Sequence, residues 1–197
     1  MKISKSGRPA LILVDIQQGF DEEEYWGGGR NNRDAETNAK KLLDYWRTNQ
    51  LPLFHIQHCS INPDSPLRSS HPGNQFKEIV QPAEGETVIK KSVNSAFIGT
   101  GLKDLLDQQG IDTVVIAGLT TDHCVSTSTR MAGNYGYDTY LVADATATFG
   151  KKGINGENYD GETMHLTALA QISAEFATVV DTAQLLFHLE EDSLAVI

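Results

Sequence analysis

The chain has 197 residues, with 16 Lys and Arg against 26 Asp and Glu, a formal net charge of −10, and 40% hydrophobic residues. That composition excludes a disordered chain, and the length supports a packed core without disulfide or metal staples, so residues 1–197 read as one domain. The acidic balance excludes the basic face a nucleic-acid binder needs and disfavours an anionic membrane surface, while Cys59 and Cys124 read as reduced thiols of a cytoplasmic protein.

The opening residues 1–8 are basic, but the apolar run that follows, Ala10–Val14, stops at Asp15. It is too short for a signal sequence or a membrane span. A continuous apolar run of this length marks a strand buried on both faces of a parallel sheet. Residues 34–49 predict a helix with Ala35, Ala39, Leu42, Leu43 and Trp46 on one side. A strand over 52–56 precedes a loop rich in Ser, Asn and Pro over 60–74, and Thr87–Lys91 is another short strand. A helix over 100–109 carries Leu102, Leu105 and Leu106 and is stopped by Gly110. Then come a strand over 113–118, a helix over 122–135 ended by Gly136, and a strand over 139–143. A helix over 164–175 and a strand over 177–180 lead to Asp181, which caps a terminal helix containing Leu185, Leu186 and Leu189. This alternation predicts an α/β fold: a three-layer α/β/α sandwich on a mainly parallel, Rossmann-like sheet with right-handed crossovers.

Ligands of such sheets bind outside the carboxyl ends of the strands. Asp15 follows the first strand, the pair Lys90–Lys91 ends the third, and Cys124 follows the fourth after Gly118-Leu119-Thr120-Thr121-Asp122-His123. Successive strand side chains point to opposite faces, so at most one of the two lysines reaches the site, and alternation alone does not say which. Placed in the first turn of a helix, Cys124 is expected to have a lowered thiol pKa, because unpaired N–H groups favour a thiolate. A nucleophilic thiol with a carboxylate to take its proton and a cation beside it meets the requirements of covalent catalysis. The plainer alternative is a buried thiol, a helix-capping aspartate and a surface lysine.

Four segments narrow this choice. Val14-Asp15-Ile16-Gln17 through Phe20, Lys91-Ser92-Val93-Asn94-Ser95-Ala96-Phe97, Gly99-Thr100-Gly101-Leu102 and Gly118 through Val125 together resemble the isochorismatase-like cysteine hydrolases. Nicotinamidases and N-carbamoylsarcosine amidohydrolases belong to that family, and the likeness runs from about residue 10 to 180. The resemblance implies a catalytic triad of Asp15, Lys91 and Cys124, with the lysine fixed as Lys91 because it stands four residues before Ser95. It implies a cis peptide between Leu119 and Thr120, and an oxyanion hole from the backbone N–H groups of Thr120 and Cys124. It further implies hydrolysis of a small amide or related C–N bond through a thioester, and a homo-oligomer; no cofactor is expected.

Nicotinamidases of that family hold a metal through an Asp-x-His pattern after the second strand, with a further His. Here that stretch reads His55-Ile56-Gln57-His58, without the carboxylate. We therefore expect no metal at His55, His58 and His71, although a loop bringing in Asp64 would change the geometry. Gln17, Phe20, His58 and Phe97 are expected to line the pocket for a small-molecule substrate, with Tyr25 and Trp26 as further aromatics near it. Gly27-Gly28-Gly29 lacks the spacing of a phosphate loop and reads as a mobile loop or lid. Cys59 reads as an inert buried thiol, Arg130 as structural and Lys90 as a surface charge. Three rivals remain. Vinyl-ether hydrolysis of the isochorismate type is one, though family members with that chemistry generally lack the cysteine. A redox thiol is disfavoured because Cys124 has no Cys-x-x-Cys partner, and a dinucleotide-binding domain because no Gly-x-Gly-x-x-Gly follows the first strand.

Overall fold

The apolar run Ala10–Val14 (β1) has no polar side chain to turn toward water, and all five of its residues are buried. In the computed structural model, which describes residues 8–194, β1 lies inside a six-stranded sheet. The basic opening segment 1–7 lies outside the described residues. The other sheet strands are β2 (Leu53–His58), β3 (Thr87–Lys91), β4 (Thr113–Leu119) and β5 (Asp138–Ala147). After a small antiparallel hairpin of β6 (Lys151–Lys152) and β7 (Asn158–Tyr159), β8 (Thr178–Val180) completes the sheet. The order is β3-β2-β1-β4-β5-β8, and every pairing is parallel.

The helices are α1 (Glu23–Trp26), α2 (Ala35–Thr48), α3 (Leu102–Gln108), α4 (Ser126–Asn134), α5 (Gly161–Ile172) and α6 (Thr182–Leu194). Ala10, Ile12 and Val14 face one apolar layer with Leu102 and Leu106 of α3, Ala132 of α4, and Leu169 and Ile172 of α5. Leu11 and Leu13 face the other, with Leu42, Leu43 and Trp46 of α2 and Leu185 and Leu189 of α6. Each fully buried leucine contributes roughly 1.5–3 kcal/mol, so the two faces of one sheet drive a three-layer α/β/α sandwich. Among the described residues no helix is long and apolar enough to cross a membrane.

Three boundaries differ from expectation for physical reasons. β5 runs on to Ala147 although its apolar run ends at 143, because Thr146 and Ala147 pair with Gly118 and Leu119. Its Asp144 breaks the pattern in order to accept from the Thr182 N–H and hydroxyl, both at 2.8 Å, at the start of α6. α5 starts at Gly161, where Asp160 accepts from the Thr163 N–H at 2.7 Å as an N-cap. The expected helix 122–135 is instead a wide π-type turn over Thr121–Val125 followed by α4, so Cys124 does not begin an α-helix.

Sheet order carries the functional consequence. The chain builds from β1 outward through β2 and β3, then returns to the opposite side of β1 with β4. The reversal opens a crevice at the carboxyl ends of β1 and β4, where doubly wound sheets bind ligands. Gly118 permits the close approach there. Its φ is +130°, and a Cβ at this position would stand 2.0 Å from the Val14 carbonyl oxygen.

Candidate active site

Four neighbouring strand ends deliver four side chains to this crevice. Lys91 ends β3 directly across from His58 of β2, its register partner. Asp15 follows β1 with φ +53°, a left-handed conformation that aspartate tolerates better than most residues. Cys124 lies in the turn after β4, beyond the cis peptide Leu119–Thr120. Alternation along β3 buries Lys91 and exposes Lys90, so the structure resolves the choice between the two lysines.

Lys91 stands at the centre. Its Nζ lies 2.6 Å from Asp15 Oδ2, 3.0 Å from His58 Nδ1 and 3.3 Å from Cys124 Sγ. An ammonium has three N–H donors, and these three acceptors take all of them. The Lys91 and Asp15 side chains are both completely buried. Burial alone would lower the Lys91 pKa, but the Asp15 carboxylate and the Cys124 sulfur outweigh it and hold the ammonium charged. His58 titrates below its ordinary value because of burial and the adjacent Lys91 cation. It is therefore a neutral imidazole at neutral pH, which is what an acceptor from an ammonium must be.

The thiol corrects an expectation. Burial and the Asp15 charge push Cys124 well above the ordinary thiol range, and Lys91 offsets them only in part. The lowered pKa expected from a helix N-terminus does not arise, because Cys124 sits in a buried turn against a carboxylate. The thiol is protonated at rest, with Sγ 3.8 Å from Asn94 Oδ1 and beside the Asp15 carboxylate. Asp15 Oδ1 is buried without a hydrogen-bond partner, an open acceptor in a site otherwise fully paired.

Asp15, His58 and Cys124 form the one grouping of metal-ligating type found among the described residues, with donor atoms within 4.8 Å of one another. The Lys91 ammonium is within hydrogen-bonding distance of all three and occupies the space a metal cation would take. The other candidates lie apart. His55 is buried on the opposite face, with Nε2 2.8 Å from Glu86, whose carboxyl Arg47 holds down at about 2. His71 Nδ1 accepts from the Gly73 N–H at 3.0 Å, and Asp64 donates its backbone N–H to Asn62 within the loop.

Beside the thiol opens a cavity of about 170 Å³. Phe20, Tyr25 and Trp26 form its aromatic wall, with Phe20 and Trp26 rings 4.7 Å apart. Ser60, Asn62, Ser65 and Asn94 form a polar wall, and His58, Thr120 and His123 close it around Cys124. Of the expected pocket residues, Phe20 and His58 are here and two are not. Phe97 packs in the apolar layer against the Tyr137 ring. Gln17 lies beneath, clamping the His58 backbone from both sides: its Oε1 accepts from the His58 N–H at 2.8 Å and its Nε2 donates to the carbonyl at 3.1 Å.

The remaining candidates are placed plainly. Cys59 is half-buried beside Asn74 and outside this cavity. Arg130 stacks on Phe176 at 4.7 Å. Gly27, Gly28 and Gly29 adopt consecutive left-handed conformations and line a separate cavity with the β6–β7 hairpin, held by the Gly150 N–H to the Gly28 carbonyl at 2.8 Å. Asn94 is the neighbour of the thiol that pattern reading leaves out, although it stands inside the 91–97 motif. Below the crevice, His165 Nδ1 meets the Thr121 hydroxyl at 2.9 Å and so ties the turn to α5.

Comparison with known proteins identifies the family. The profile of the isochorismatase domain matches residues 9–184. An uncharacterized isochorismatase-family protein of Bacillus subtilis, YrdC, is 49% identical over 91% of this chain and 95% of its own length. Maleamate amidohydrolase of Pseudomonas putida is 34% identical over 95% of this chain and 91% of its own length. The crystal structure of an isochorismatase-family protein from Chromobacterium violaceum superposes with a TM-score of 0.92 at 40% identity, covering 97% of each chain.

Proposed function

The chain belongs to the isochorismatase family of hydrolases, and we propose that within it this protein is a cysteine hydrolase of small, uncharged carboxamides. The observation that carries the reading is the single buried ammonium of Lys91, bonded at once to Asp15 and Cys124. It joins a proton donor to a proton acceptor while balancing the acceptor's charge.

The chemistry follows from that balance. A free thiolate beside Asp15 would give the buried group a net negative charge, which desolvation penalises. Attack therefore moves the thiol proton to the Asp15 carboxylate as Sγ bonds to the carbonyl carbon, and the net charge of the four side chains and substrate does not change. The oxygen that becomes negative faces the backbone N–H groups of Thr120 and Cys124. Collapse breaks the C–N bond, and the leaving nitrogen takes the proton from Asp15, leaving a thioester on Cys124. Water then adds to the thioester and gives a proton to Asp15. That proton returns to sulfur as the C–S bond breaks and the acid departs.

Size and charge of the substrate come from the cavity. Its 170 Å³ is below the ~300–1,000 Å³ of drug-sized pockets, so the substrate is small. Among the described lining residues there is no Asp, Glu, Lys or Arg, and Lys91 has no donor to spare. A carboxylate would be desolvated there with no Lys or Arg to pair with. The name of the Pseudomonas relative supports amide cleavage, but maleamate carries a carboxylate beside its amide, so the substrates differ. An uncharged cavity and the presence of Cys124 likewise disfavour the anionic isochorismate.

Ammonia release from matched amides of similar size, butyramide against succinamate, tests both parts. The neutral amide should be turned over with the larger kcat/KM, and a mass increment of the acyl group should appear on Cys124. Turnover that survives Cys124→Ala overturns the covalent mechanism, and preference for succinamate overturns the charge assignment.

A further inference from the structure

We propose that His58 is a positioning residue for Lys91: a neutral imidazole whose Nδ1 takes the third N–H of the ammonium and so aims the other two at Asp15 and Cys124. The reading deepens the proposed hydrolase mechanism and rests on it for its rate consequences.

Three features converge on this role. Nδ1 lies 3.0 Å from Lys91 Nζ, and no other described group supplies a third acceptor to that nitrogen. The His58 backbone is held more firmly than strand pairing requires, by Gln17 on both its N–H and its carbonyl and by Asn74 Nδ2 on the carbonyl at 2.8 Å. Gln17 and Asn74 are themselves buried, so the clamp is rigid. Last, among the described residues Asp15 from the end of β1, Lys91 from β3 and Cys124 from the turn after β4 lie against the ring, with His123 across the cavity, and Lys91 is the cation in hydrogen-bonding contact with it.

An ammonium fixed by two acceptors can rotate about its Cε–Nζ bond and tilt away from the sulfur. A third acceptor at this distance removes that freedom and satisfies a donor that would otherwise be buried alone. Protonating His58 destroys the arrangement twice over, by removing the acceptor and by placing a second cation against the first.

His58→Asn and His58→Leu separate the possibilities. Asn Oδ1 occupies nearly the position of His Nδ1 and accepts at every pH, whereas Leu fills the space and accepts nothing. We expect His58→Asn to keep kcat within about tenfold and His58→Leu to lose ~10²-fold in kcat, the scale of a misplaced catalytic group. The pH profile of the Asn variant should lose the acid limb caused by His58, so that its activity extends to lower pH than wild type. Two results overturn the proposal: a His58→Leu enzyme with unchanged kcat and raised KM, which makes His58 a substrate contact, or equal losses in both variants with the wild-type acid limb retained. ¹⁵N NMR of labelled histidine in the wild-type chain needs neither folded variants nor turnover. It should show His58 as the neutral tautomer protonated on Nε2 at neutral pH; a proton on Nδ1 overturns the proposal. A chain without amide turnover whose His58 shows that Nε2–H tautomer would lose the amidohydrolase reading and keep this one.

Discussion

Replacing Lys91 by Met keeps the length and apolar stem of the side chain and removes only the cation. Asp15 is then a carboxylate with a completely buried side chain, one oxygen having lost its partner at 2.6 Å and the other having none to begin with. Removing one member of a buried ion pair costs about 3–5 kcal/mol, because the survivor keeps its desolvation penalty without compensation. For a chain of this size that is a loss of roughly 6–20 °C in Tm. The sign with pH is fixed. Acid removes the unpaired buried charge, so the deficit against wild type should shrink as pH falls. Adding Asp15→Asn removes the buried charge, so the double variant should be more stable than Lys91→Met alone at pH 7. Lys90→Met is the control: its exposed side chain should matter by no more than about 0.5 kcal/mol. Urea denaturation followed by tryptophan fluorescence at pH 7 and pH 5 measures all four proteins. If Lys91→Met costs no more than Lys90→Met, or the double variant is no more stable than Lys91→Met alone, the buried pair is not the arrangement described here.

Other outcomes follow from the same geometry. Iodoacetamide should label Cys124 slowly at neutral pH, with a rate that rises only above the ordinary thiol pKa of ~8.5; rapid labelling at pH 7 would mean a resting thiolate. Asp15→Asn should slow amide turnover by ~10²–10⁴ and yet speed alkylation, since it removes a charge that raises the thiol pKa. The pair of measurements fails if both rates move in the same direction. Gly118→Ala should destabilise by about 3 kcal/mol through overpacking against the Val14 backbone, whereas Gly101→Ala, with nothing within 4 Å of its Cβ, should be near neutral in the same denaturation assay. Exhaustive dialysis against EDTA should leave amide turnover intact, and loss of activity restored by stoichiometric zinc would put a metal where the Lys91 ammonium stands.

What the sequence discloses and what it withholds have different physical origins. Strands such as Ala10–Val14 are legible because a buried parallel strand must be apolar on both faces. Asp15, Lys91 and Cys124 are legible because strand-end positions and family motifs both mark them. The carboxyl half of β5 is not, because Asp144 and Thr146 serve caps and turns while their backbone stays in the ladder. The π-type turn at 121–125 is hidden since its residues would suit an ordinary helix start, and with it goes the sign of the Cys124 pKa shift. The pocket is hidden for another reason. Gln17 and Phe97 sit in the right motifs, but burial beneath the site and packing in the apolar layer are tertiary facts that spacing does not encode.

Sheet topology explains why one lysine can do so much here. Parallel strands in the order β3-β2-β1-β4 put their carboxyl ends side by side, each about 4.8 Å from the next. Three strand gaps separate β3 from β4, more than a lysine stem spans alone, so the Asp15 side chain and the turn carrying Cys124 supply the rest of the distance to the ammonium. Lys91 reaches over His58 and Asp15 to the sulfur, and each strand it crosses contributes one acceptor. Its stem is wholly buried, so little water competes for the ammonium, and the three bonds together settle its direction. The ammonium lies beside both Cys124 and Asp15, so in the proposed attack step the proton would pass from one to the other within the field of one fixed charge.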